Sequence, residues 1–343
     1  MPFISEILKY GSVAIVGTEK NTGKTECLNY ILSQLHNGNT SVAVTSIGID
    51  GESLDQVTGT AKPEITVFEN MIFVTSEKHY FAKRLTAEIL NISAERTSLG
   101  RLITAKAKST GKVILSGPAN TALLQKIIAQ NADFGTDITI VDGALSRMSP
   151  ASPGVVQAMI LATGAAYSAN IRQLVQKTKF LCELISLNLA DEHLQSMLTR
   201  IDKGMYGIDA NGTLHGLQTE SSFMPASIET DKTELLRKCK ILFVAGVVTD
   251  KLLSFLRMQG NIDGFTLIAK DFTKLFVSPE IYSSFLKKGG CIKVLHKTKL
   301  IAITVNPVSP QGYVLDTKML QESLRRNLNF PVYDLRDRLQ NLP

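Results

Sequence analysis

The apolar run Ser12–Val16 leads straight into Gly17-Thr18-Glu19-Lys20-Asn21-Thr22-Gly23-Lys24-Thr25, and Leu28, Ile31, Leu32 and Leu35 then follow at helical spacing. A buried strand, a glycine-bounded loop and an amphipathic helix in direct succession leave few arrangements open. The helix must fold back over the strand, with the loop turning at the strand's carboxyl end. Such a loop suits phosphate, which needs inward N–H groups, glycines that let the backbone approach, and the positive end of a helix. It also needs an ammonium group and a hydroxyl for Mg²⁺. Gly17, Gly23, Lys24 and Thr25 stand where those parts belong. The loop is one residue longer than the common GxxxxGK[ST] form. Chance would produce the bare pattern in about 1 chain in 100 of this length, and the strand–loop–helix frame makes an accident rarer still. The expected ligand is a nucleotide, on a P-loop.

Mg²⁺ held partly through water calls for a second acid at the end of a neighbouring strand. Asp142, in Ile138-Thr139-Ile140-Val141-Asp142-Gly143, ends a short apolar run in that way. Asp50 lies just past the run Ser41–Ile47 and is a further candidate, for the metal or for activating the attacking water. Asp50-Gly51 is also an ordinary turn pair, and Glu52 is a weaker choice. The five histidines show no metal-ligand spacing, and no Ser or Cys nucleophile signature stands out.

At 343 residues, with 44% hydrophobic and 20% charged positions, the chain can bury two cores. Apolar runs alternate with helical periods, which argues α/β. The expected fold is a P-loop domain over residues 1–200 with a mostly parallel, doubly wound sheet and a β-containing insertion at about 51–131. A C-terminal α/β half, 201–343, either extends that sheet or forms its own. Within the insertion, 64–76 reads as a hairpin, 77–90 as a helix and 112–117 as a strand. Gly154–Ser168 and Ile171–Leu187 read as helices, and Asn211-Gly212 signals a type I′ hairpin.

Net charge is +6, without basic runs interleaved with aromatics, so no nucleic-acid partner is expected. The longest apolar stretch, Val155–Ala169, falls short of a membrane span. Glu6 and Lys9 interrupt the first apolar residues, which speaks against a secretory signal. Four scattered cysteines read as reduced thiols. A soluble, cytoplasmic protein is expected.

The stretch GTEKNTGKT resembles the GTxxxxGK[ST] loop of dethiobiotin synthetase and the cobyrinic and cobyric acid synthases, which also carry an acid-Gly pair like Asp142-Gly143 on a later strand. Some related loops hold a lysine that reaches across a dimer, four residues before the second glycine. Lys20 stands three before, and that role is not assigned to it. A longer resemblance is to the ATPase subunit of the lysine 5,6-aminomutase reactivase, a family that also serves ornithine aminomutase. It is carried by TSIGIDGE (45–52), VTGTAKP (57–63), TSLGRLITAKA (97–107), VDGALSRMSPASP (141–153), ITVNPVSPQGYVLD (303–316) and PVYDL (331–335).

That resemblance implies an ATPase that releases damaged cobalamin from an adenosylcobalamin-dependent aminomutase, together with a second subunit resembling mismatch-repair ATPases. It implies ATP and Mg²⁺ as cofactors. Gly17, Thr18, Asn21, Thr22, Gly23, Lys24 and Thr25 would bind nucleotide. Thr25 and Asp142 would hold the metal, and Lys24, Asp50 and Asp142 would be catalytic. The base-off cobalamin motif DxHxxG is absent: Asp191 and His193 begin like it, but Ser196 replaces the glycine. Two rivals are an ATP-dependent ligase of the dethiobiotin or cobyrinate kind, and a nucleotide-binding module that does not hydrolyse.

Overall fold

A computed structural model describes residues 2–47, 64–118, 120–144, 155–217, 238–258 and 262–335. Along the chain, helix α1 (Pro2–Ile7) precedes strand β1 (Ser12–Gly17), α2 (Lys24–Asn37) and β2 (Val42–Ser46). Then come β3 (Ile65–Val67), β4 (Ile72–Ser76), α3 (Glu77–Phe81), β5 (Ala87–Thr97), β6 (Gly100–Ala107) and β7 (Gly111–Val113). Helix α4 (Thr121–Asp133), β8 (Ile138–Ala144), β9 (Ala158–Gly164), α5 (Ile171–Ile185) and α6 (Glu192–Leu198) follow. The next strands are β10 (Met205–Asp209), β11 (Leu214–Gly216), β12 (Cys239–Val244), β13 (Val248–Thr249), β14 (Thr266–Ala269), β15 (Leu275–Phe276) and β16 (Cys291–Val294). The chain closes with β17 (Lys299–Asn306), the helix Thr317–Asn327 and β18 (Val332–Asp334).

The protein is α/β, and its chain divides into two compact units. The first comprises residues 1–179 and 298–343, the second 180–297. In the first, a nine-stranded sheet has the order β18-β17-β9-β1-β8-β2-β4-β6-β5. It is parallel from β18 to β4, and β6 and β5 add an antiparallel edge. Every residue of β1 and of β9 is buried, so both strands are covered on both faces, as parallel sheets require. Helix α2 packs Cys27, Leu28, Ile31, Leu32 and Leu35 into the same core as Val13, Ile15, Val42, Val44 and Ile140. The chain leaves β1 for β2 on one side, and β9 lies on the other. The carboxyl end of β1 is thus where the winding direction switches, the usual crevice of an open parallel sheet.

The second unit holds a smaller sheet, β11-β10-β12-β14-β16, with β12, β14 and β16 parallel. The division therefore falls elsewhere than at residue 200. Of the three late apolar runs, β12 and β14 build the second sheet, whereas β17 returns to pair with β9 in the first. Within the first unit, the described part of 51–131 is β-containing, and its strands β4, β6 and β5 continue the main sheet.

Several local expectations yield to non-local pairing. The two runs within 64–76 are strands but not a hairpin: β3 pairs with β7, and β4 with β2. In 77–90 only Glu77–Phe81 is helical, since the chain then enters β5 and pairs with β6. The expected strand at 112–117 ends at Val113. In the stretch read as the helix Gly154–Ser168, residues 158–164 are strand β9, and residue 154 lies outside the described residues. A strand buried on both faces shows no alternation, and its unbroken apolar run mimics a buried helix. The β10–β11 hairpin is present, but Gly212 adopts φ 82° without a left-handed Asn211, so its turn is not type I′. Asp209 instead closes the loop, its Oδ1 accepting from the N–H groups of Asn211 and Thr213 at 2.9 Å each.

All four cysteines are free, and burial pushes the Cys27 and Cys182 thiols up to about 12. Their thiolate fraction at pH 8 is then roughly 1 in 10,000. In the native protein at that pH, a thiol reagent should modify half-buried Cys291 first, and Cys27 and Cys182 only after denaturant is added. Mass mapping of the labelled peptides reads this directly. Rapid labelling of native Cys27 would mean that α2 opens from the sheet.

Candidate functional site

Between β1 and α2 the chain must reverse within a few residues, and two left-handed positions make this possible. Asn21 has φ 62° and Gly23 has φ 86°, the latter just before the helix begins at Lys24. Glycine adopts that conformation without the Cβ penalty, and asparagine is among the side chains that tolerate it best. At Gly17 the limit is space. A Cβ there would stand 2.7 Å from Thr22 Oγ1 and 3.0 Å from the Glu19 carbonyl oxygen. Both glycines are therefore demanded by the loop's shape.

The threonines stiffen the loop from inside. Thr18 N–H donates to the Ala162 carbonyl at 2.9 Å, which ties the loop to β9. Its hydroxyl donates to Thr163 Oγ1 at 3.3 Å, and that oxygen lies 3.3 Å from Thr178 Oγ1. Thr22 Oγ1 donates to the Glu19 carbonyl at 2.9 Å across the turn. Thr18, Thr22, Thr163 and Thr178 are all buried. The side chains of Thr18 and Thr22 thus fix the loop and are spent inside it, leaving the backbone for any ligand. Helix α2 has Gly23 as its N-cap and no side-chain cap, so no side chain of the cap residue competes for its first N–H groups.

Beside this open helix end lies the acid of β8. Register pairs Asp142 with Ile15 on one side and with Ser46 on the other. Lys24 Nζ sits 3.0 Å from Asp142 Oδ1, with the two side chains 26% and 19% exposed. That oxygen is itself buried and makes no hydrogen bond among the described residues. The ammonium approaches closely, and among the described residues this buried carboxylate oxygen keeps an acceptor site open. Thr25 is half-buried in the first helical turn, next to Lys24 in the chain.

The structure therefore brings together Gly17, Thr18, Asn21, Thr22, Gly23, Lys24, Thr25 and Asp142. Asp50 and Glu52 lie outside the described residues, as do most of TSIGIDGE, all of VTGTAKP and most of VDGALSRMSPASP. No cluster of metal-ligating side chains occurs among the described residues. Of the histidines, His79 is buried in a hydrogen-bonded group with Ser116, which also lies within 3.4 Å of Thr75 and 3.2 Å of Ser76.

One residue of the site went unassigned from sequence. Asn306, at the end of β17, donates from Nδ2 to the Asn21 carbonyl at 3.0 Å. Its sequence signals are its place at the end of an apolar run, before Pro307, and its membership of the stretch ITVNPVSPQGYVLD, neither of which points to the loop. Its position 285 residues from Asn21 hides the contact.

Among the described residues, no helix is long and apolar enough to cross a membrane. No protein-family model matches the chain, and none of the curated proteins matches it significantly.

Proposed function

We propose that this chain has the P-loop NTPase fold, binds Mg·ATP on the Gly17–Thr25 loop, and hydrolyses it to drive a conformational change in a partner enzyme. The observation that carries the reading is the convergence of Lys24 and the buried Asp142 Oδ1 on an uncapped helix N-terminus. An ammonium paired with a carboxylate near the carboxyl end of a parallel strand suits an anion and a cation arriving together. The phosphates would replace Asp142 as the partner of Lys24, and the unused acceptor site of Asp142 would face Mg²⁺, directly or through water. Gly17 and Gly23 fit the same ligand, since a Cβ at Gly17 would crowd the loop and one at Gly23 would stand 3.0 Å from the Asn306 Cβ.

In this reading Lys24 neutralises charge on the outer phosphates, and Thr25 offers its hydroxyl to the metal. The loop and the α2 N-terminus supply N–H groups that need no rearrangement, the preorganisation that makes electrostatic catalysis effective. When bound, Mg·ATP supplies a γ-phosphoryl group whose transfer to water releases free energy. A ligand moves a conformational equilibrium only through unequal affinity for the two states. ATP and its products differ at the γ-phosphate, next to Lys24 and Asp142 in this reading, so helix α2 and strand β8, which carry those residues, are where such a difference would first be felt.

The partner follows from the resemblance set out above. We propose that the chain serves as the nucleotide-driven subunit that frees damaged cobalamin from an adenosylcobalamin-dependent amino-acid aminomutase, acting with a mismatch-repair-ATPase-like subunit. The test begins with an aminomutase inactivated by its own turnover. Adding free adenosylcobalamin, hydrolysable ATP and both subunits should restore activity, and omitting this chain should not. Equal recovery without it, or ATP consumption only in the presence of a small carboxylic acid, would favour the ligase reading.

A further inference from the structure

We infer that Asn306 is a positioning residue that holds the Gly17–Thr25 loop in its anion-accepting shape, an inference that rests on the nucleotide-binding reading above. Asn306 is anchored on several sides. Its carbonyl oxygen accepts from Ala165 N–H at 2.8 Å, and a Cβ on Gly164 would fall 2.1 Å from that same oxygen. The two strand ends are thus in close backbone contact. Its side chain spans two loops: Oδ1 accepts from Val308 N–H at 3.2 Å, while Nδ2 donates to the Asn21 carbonyl at 3.0 Å.

These two partners settle the orientation of the amide. A flipped amide would set NH₂ against the Val308 N–H and oxygen against the Asn21 carbonyl, and both contacts would repel. The group therefore works as a directional clamp. What it clamps is the peptide that follows a left-handed non-glycine residue, Asn21 at φ 62°, a conformation that needs outside support. In a planar trans peptide the C=O and N–H point in opposite directions. Holding the Asn21 carbonyl against Asn306 aims the Thr22 N–H away from Asn306, to the side where the proposed phosphate lies. The Cβ of Asn306 also stands 3.0 Å from where a Cβ on Gly23 would be, so it fills the space that the second loop glycine leaves.

Two variants separate the parts of this contact. Asn306→Ala removes both hydrogen bonds. Asn306→Asp keeps an acceptor for Val308 but loses the donor and sets a carboxylate against the Asn21 carbonyl. Amide hydrogen exchange of nucleotide-free protein should show peptides covering residues 17–25 exchanging several-fold faster in both variants. Titration of wild type and Asn306→Ala with Mg·ATP and with inorganic magnesium triphosphate, which has no base, gives the second readout. Both affinities should fall by the same factor, about fivefold to tenfold for the lost hydrogen bond to the Asn21 carbonyl, the one of the two that touches the loop. Unchanged exchange in a protein that still binds ATP would overturn the positioning role alone. A loss confined to ATP would also overturn it, since it would make Asn306 a contact to the base or ribose. Wild-type protein that binds neither ligand would bring down the nucleotide reading, and this role with it.

Discussion

Mg·ATP at about 100 times its Kd should stabilise the folded protein by roughly 2.7 kcal/mol, because the loop proposed to hold it exists only in the native state. For a domain of about 150–250 residues each kcal/mol moves the melting temperature by about 2–4 °C. A rise of roughly 5–10 °C is expected for the unit that carries the loop. Lys24→Ala should abolish the rise. The variant's own melting temperature without nucleotide is the proper reference, since losing the 3.0 Å contact leaves Asp142 Oδ1 without its counter-ion. Differential scanning fluorimetry with and without Mg·ATP measures both quantities. An equal nucleotide-dependent rise in wild type and variant would place the ligand elsewhere and remove this loop from the account.

The second large effect is expected at Asp142. Asparagine keeps the shape of the side chain but removes the charge that the proposed metal would need, and the charge demand is greatest in the transition state for phosphoryl transfer. Asp142→Asn should lower ATP turnover by about 100-fold or more, while the dissociation constant for ATP changes by less than about tenfold. Steady-state hydrolysis and separate binding titrations give the two numbers. Should turnover be unchanged, Asp142 would serve only as the resting counter-ion of Lys24.

Much of the site can be read along the chain because it is local. Nine consecutive residues, Gly17–Thr25, carry both glycines, the ammonium and the hydroxyl, and the flanking strand and helix announce themselves by apolar run and by 3.6-residue period. Asp142 was legible for a related reason. An acid closing a short buried run is costly to leave in a core, so it marks a place open to charge, although β8 runs on past Asp142 to Ala144.

The tertiary structure decided what depends on partners distant in sequence. Nothing in 64–76 says that its two runs pair with β7 and β2 instead of with each other. That choice belongs to Val113 and Ala43, the partners of Ile65 and Ile72. Ala158–Gly164 is apolar but for Thr163, and only its place between β1 and β17, covered on both faces, makes it a strand and not a helix. The return of β17 to the first sheet after residues 180–297 is equally invisible in a local window, yet it delivers Asn306 to Asn21. Periodicity records what one element buries and adjacency records a loop's chemistry, so the chain declared the phosphate-type loop and its acid. Pairing is a contest among all strands at once, decided by which faces can be covered together, and that contest set the sheet order, the second unit and the brace behind the loop.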